Sequence, residues 1–247
     1  MSMRYIYILP LIEGLWFIVA FIITYTIAVT RNDIPAVFPY ISDTGVWYIE
    51  KCIFSFAMGI GALLLLSVLY IRYMQVKEIL KNDEEKSFDP YIAVANKISM
   101  YLGIIAALGV FIVGCVQEVP FLIIHLTAAA VSFTLGWLVL VLQTYVSFKL
   151  YPAVGSRTVN IIRGIITFIV GISMATTSSF GGLSLLFFTG RDITQWTPKS
   201  GAYEMHLIST VFEWILVFGV IFFFAMYSHD FKHLVLYKPK INLRGAV

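Results

Sequence analysis

Two histidines and two carboxylates carry most of the chemistry this chain could perform. His206 and Glu213 stand seven residues apart. Two helical turns separate them, so they share one helix face about 10 Å apart. His125 lies near the start of an apolar stretch, and Asp43 sits in the loop segment "FPYISDTG". If these four converge, they form a polar pocket for a lipid head group, a metal ion or a proton, because ionisable groups inside apolar segments are functional candidates by default. In lipid chemistry, His125 or His206 would be the general base and Glu213 its partner. The structural alternative makes Glu213 a buried carboxylate bonded to a neighbouring helix, with both histidines at the wet interface. None of these residues pairs at the three- or four-residue spacing of helical metal ligands, so no metal is expected. No Ser-His-Asp set, G-x-S-x-G turn or phosphate loop occurs. No cofactor is expected, and a non-enzymatic role is favoured.

The elements that must position these groups are membrane helices. Of 247 residues, 60% are hydrophobic and 13% charged, and the mean hydropathy is +0.88. Soluble domains average about 45–50% apolar and about 25% charged. The chain therefore reads as an all-α polytopic membrane protein whose surroundings are membrane lipids. Six stretches reach the roughly 20 apolar residues a span needs: 5–28, 52–74, 92–116, 121–148, 159–188 and 205–228. They form one bundle, 1–247, with no further domain. Spans three and four are joined only by "QEVP" and make a tight hairpin; the fifth is expected to bend or emerge early near Ser178 to Gly182. Glycines in the second and third spans predict close helix approach. The first span has no clear n-region and no cleavage site, so it reads as a retained anchor. No Arg ladder or selectivity filter occurs, which disfavours a pore but not a channel modulator.

Six spans place both termini on one side, and Lys and Arg say which. All but Arg31, Lys51, Arg191 and Lys199 of the 17 fall on the face bearing the termini. Both termini are expected to be cytosolic, with loop 29–51 outside or in a lumen. This bias explains the formal charge of +3 without any nucleic-acid partner. Glu13 would lie two turns in from the cytosol, at a different depth from Glu213. Cys52 and Cys115 both fall near the outer face, where they either form a disulfide or pack as small apolar thiols.

The loop 29–51 is dense in turn formers. Pro39 fixes φ and Tyr40 can anchor at the interface. Ser42 and Asp43 can accept backbone N–H bonds, Thr44 follows, and Gly45 can take positive φ. The segment should fold back as a cap over the helix ends, either as a rigid turn or in contact with a ligand.

"FPYISDTG" resembles the first-loop signature of the Frag/DRAM/Sfk superfamily, which groups the damage-regulated autophagy modulators with tentonin-like, Sfk and GPI-remodelling proteins. The resemblance extends through Pro10, Trp16 and Tyr25, "IRY" at 71–73, "VQE" at 116–118, His125, "LQTYVSFK" at 142–149, Arg163, "YEMHLISTVFEW" at 203–214 and "HDF" at 229–231. It is nearest to the DRAM branch. It implies six spans with cytosolic termini, lysosomal or other endomembrane residence, and promotion of autophagy through partner membrane proteins or lipids. The alternative it implies is a lipid-binding, lipid-distributing or GPI-lipid-remodelling protein, or a channel modulator. Weak Tyr-x-x-hydrophobic matches at Tyr73 and Tyr151 leave Golgi and plasma membrane open. Glu13 and the run "VWYIEKC" after the signature depart from the DRAM pattern.

Overall fold

The computed structural model describes residues 2–3, 5–83 and 88–237. The expected cytosolic positions of Arg4, Lys86, Lys238, Lys240 and Arg244 lie outside the described residues. Six long helices follow one another: α1 (Leu9–Thr30), α2 (Tyr48–Lys81), α3 (Tyr91–Cys115), α4 (Leu122–Leu150), α5 (Arg157–Leu186) and α6 (Tyr203–Ala225). A one-turn helix α7 (Tyr227–Asp230) ends the series. Each of the six is long and apolar enough to cross a membrane. Strands β1 (Ser2–Met3) and β2 (Leu236–Tyr237) pair antiparallel, so both ends of the described chain meet at one end of the bundle.

Each long helix packs on the next and α6 returns to α1, which closes a ring. The ring is more polar inside than outside. On α1 the buried face is Glu13, Gly14, Phe17, Ala20, Phe21, Thr24 and Ala28, at helical spacing. Leu15, Ile22, Leu63, Ile123, Phe168 and Phe222 point outward, where hydrocarbon replaces water. With no hydrophobic drive between helices in lipid, close approach and buried hydrogen bonds hold them together. Gly109 shows the approach: a Cβ there would sit 2.9 Å from the Ala128 carbonyl oxygen across the α3–α4 hairpin.

Two boundaries differ from the sequence expectation. α2 starts at Tyr48 and runs to Lys81, 34 residues. At 1.5 Å per residue that is about 51 Å, well beyond the roughly 30 Å hydrocarbon core, so its last turns project from the membrane. α5 runs from Arg157 and is unbroken helix through Ser178 to Gly182, ending at Leu186. Its start is capped by Ser156, whose hydroxyl accepts from the Val159 amide at 3.2 Å.

The terminal end of the ring is closed by a buried charge cluster. Arg72 on α2 and Arg163 on α5 are both fully buried. They meet Asp230 at 3.3 Å and 2.9 Å. The Tyr227 ring lies beneath both guanidiniums, 5.3 Å and 4.9 Å away. Arg72 also donates to Gln75 at 2.8 Å and Ser147 at 3.0 Å. Gln143 donates to Ser99 at 2.6 Å, and Asn160 to the Ser147 carbonyl at 2.9 Å. The cluster thus joins α2 to α5 and α7 through side chains of α3 and α4. Removing the sole carboxylate would strand two buried cations, a loss of about 3–5 kcal/mol. Asp230→Asn should therefore melt well below wild type in lipid nanodiscs, and adding Arg163→Met should restore part of the loss. An unchanged melting temperature for Asp230→Asn would contradict this account.

Candidate functional site

At the opposite end, the connection between α1 and α2 folds inward as a cap. A 3₁₀ turn, Ser42–Gly45, forms its centre, and Asp43, Thr44 and Gly45 are buried. The cap is fastened to α6 by three bonds. The Tyr40 hydroxyl donates to Ser209 Oγ at 2.7 Å. The Ile41 amide donates to Glu213 Oε2 at 3.0 Å. Trp214 Nε1 donates to the Pro39 carbonyl at 2.9 Å. Ser209 in turn donates to the Thr177 carbonyl at 2.8 Å, carrying the fastening to α5. Within the cap, Asp43 Oδ2 accepts from the Tyr40 amide at 3.0 Å, and Thr44 meets Thr24 of α1 at 2.9 Å.

Gly45 serves differently from expectation. Its φ is not positive; in this connection the positive values fall instead at Asn32, Phe38 and Tyr48. A Cβ at Gly45 would instead lie 2.3 Å from the Phe54 ring. Glycine is needed there so that the turn can press against α2.

Beneath the cap, a cavity of about 340 Å³ runs down the centre of the ring. Tyr40, Ser42, Glu118, His125, Ser209 and Glu213 line its cap end. Glu13 lines it too, much deeper: its neighbour Gly14 lies against Ile221 and Ala225, two turns and more beyond Glu213 along α6. Of the residues expected to converge, Asp43, His125 and Glu213 do so. His206 stands apart from the cavity. It is walled by aromatic rings, stacked on Trp196 at 4.1 Å and edge-on to Tyr40 at 5.0 Å. His125 Nδ1 is 2.6 Å from the Val116 carbonyl, which ties α4 to the end of the α3–α4 hairpin. Cys52 and Cys115 are both exposed free thiols, neither bonded to one another nor packed inside. Among the described residues no group of three His, Cys, Asp or Glu is placed to hold a metal. His229 and His233 do stand four apart in sequence, but α7 ends between them at Asp230.

The residue that sequence reasoning undervalued is Glu118. It is 4% exposed, lies within hydrogen-bonding reach of the Asp43 and Ser42 side chains, and has one oxygen, Oε2, without a partner. The signal was a carboxylate in a four-residue turn between two apolar spans. Arg72, Arg163 and Asp230 were also missed as a set, although each is a charge in or beside a span. Glu50 is fully buried at the start of α2 with Arg31 4.0 Å away, and nothing in the sequence separated it from an ordinary first-turn acid.

The sequence matches the model of the Frag1/DRAM/Sfk1/Cwh43P N-terminal domain over residues 5–234. The chain belongs to this family. Human DNA damage-regulated autophagy modulator protein 2 is 32% identical over 240 residues, 96% of this chain and 88% of the relative. Human DNA damage-regulated autophagy modulator protein 1 is 30% identical over 230 residues, 92% and 91% of the two chains. The modulator of macroautophagy TMEM150B-B of Xenopus laevis is 24% identical over 229 residues, 92% and 86%. No solved structure matches the chain. This Frag1/DRAM/Sfk1 member is thus a six-helix multi-pass membrane protein whose signature loop is the cap over a central cavity.

The cap carries its own pH dependence. Burial, and then the charge of Glu118, hold the Asp43 carboxyl well above the usual carboxylate range. Burial raises Glu118 as well, against a hydrogen bond from Asp43 and the nearby His125. Glu213 and Asp192 add negative charge from α6 and the α5–α6 loop. A carboxyl whose folded pKa is raised stabilises the fold most in acid, and that stability is lost as pH rises through the raised value. The cap should therefore be tightest in acid. Amide exchange in 36–47, corrected for intrinsic rates, should speed up from about pH 5 to about pH 8. Asp43→Asn should flatten that dependence. A cap that exchanges equally at both values would refute the coupling.

Proposed function

We propose that this protein is a non-enzymatic regulator of autophagy in lysosomal or related endomembranes, and that it works by holding a membrane lipid in the central cavity and presenting the occupied state to partner membrane proteins. An autophagy-related membrane role follows from its relatives. The lipid reading rests on one observation: an apolar cavity inside the ring, with polar groups confined largely to the end beneath the family's signature loop. Ligand sites combine an apolar lining with a few convergent polar groups in this way. The cavity also opens sideways. Leu126 and Ala130 on α4, and Ser178 and Gly182 on α5, line it and are exposed at the bundle surface. A side chain at Gly136 or Gly182 would meet nothing within 4 Å. A lipid can enter through this seam without leaving the bilayer.

The Lys and Arg bias supports cytosolic termini and a lumenal cap. An acidic lumen is also where the Asp43–Glu118 contact is strongest. The test is Gly182→Leu, which fills the seam in open space and so spares the fold. In cells lacking the protein, this variant should reach normal abundance and location yet leave autophagic flux at the deficient level. Full restoration of flux by Gly182→Leu would overturn the lipid reading.

A further inference from the structure

We propose that the cavity's ligand is an amphiphile with a primary ammonium head, held at the cap end by Glu118 and Glu213, with an apolar tail running toward Glu13. This deepens the lipid-binding reading and rests on it.

The shape of the cavity selects an elongated apolar tail. It extends along α6 from the level of Ser209 to that of Phe224, about 22 Å at 1.5 Å per residue. The wall is made of apolar side chains such as Phe17, Phe21, Met58, Val110 and Val217.

The charges select the head. Glu118 and Glu213 line the cap end, and Asp43 stands directly behind Glu118. Asp43 is 1% exposed, Glu118 4% and Glu213 7%. No Lys or Arg lines the cavity, and His125 spends Nδ1 on the Val116 carbonyl. A phosphate or carboxylate head would face buried acids with no compensating cation. An ammonium brings three donors and no acceptor. Glu118 and Asp43 are buried within hydrogen-bonding reach of one another, and neither carboxyl has a Lys or Arg among the cavity-lining residues to pair with. The ammonium supplies donors to Glu118 and Glu213 and the counter-charge, while the Tyr40 and Ser209 hydroxyls border the same end.

The experiment uses the full chain in phosphatidylcholine nanodiscs, with octadecylamine and octadecanol added at equal mole fraction and bound adducts read by native mass spectrometry. The two probes share a tail and differ in the head. The amine should be retained about tenfold over the alcohol, the scale expected for charge-assisted hydrogen bonds. Glu118→Gln, which keeps the shape and removes the charge, should erase that preference without preventing tail binding. Glu13→Gln, at the far end, should leave it intact. If the alcohol binds as well as the amine, the ammonium proposal fails and the lipid reading stands. If neither probe nor any phospholipid is retained, both fail.

Discussion

The fold depends on one costly arrangement: two guanidiniums and one carboxylate buried together at the terminal end of the ring. Arg72 and Arg163 are tolerable there because both pair with Asp230, both donate to further polar partners and both lie over the Tyr227 ring. A buried pair adds little net stability, yet breaking it is severe. Its effect is geometric. α2, α5 and α7 are fixed to one another at that end, so the ring cannot open there without separating buried charges.

The cap end is fastened to α6 in another way. A backbone amide on Glu213, an indole on a carbonyl and a phenol on a serine hold the cap down. Each is an ordinary hydrogen bond, worth about 1 kcal/mol net. The carboxylates beneath respond to pH and to any cation that reaches them. One end of the ring is thus a lock and the other a lid, and the cavity lies between them.

Much of this was legible in the sequence. Span count and all-α class follow from long apolar runs. The seven-residue spacing of His206 and Glu213 put both on one helix, and "FPYISDTG" announced a folded loop. What failed has physical reasons. His206 looked like a pocket residue, but only the packing reveals Trp196 stacked over it. Gly45 suggested positive φ because turns often need it; here the constraint is the distance to Phe54, a contact between residues on different elements. Glu118 was not singled out because a short turn gives no sign of which way its side chain folds. Arg72 and Arg163 were counted toward orientation, where long basic side chains usually snorkel to the surface. Their carboxylate partner lies far along the chain and pairs with them only after the ring has closed.

The central claim is that the ring encloses a lipid tail beneath a lid anchored on buried acids. A cryo-electron microscopy structure in nanodiscs made from endolysosomal lipid tests it most directly. The account predicts a single elongated non-protein density from Glu118 and Glu213 down toward Glu13, with the cap closed on α6. A ring whose interior is empty, or filled by its own side chains closing around the axis, would contradict it.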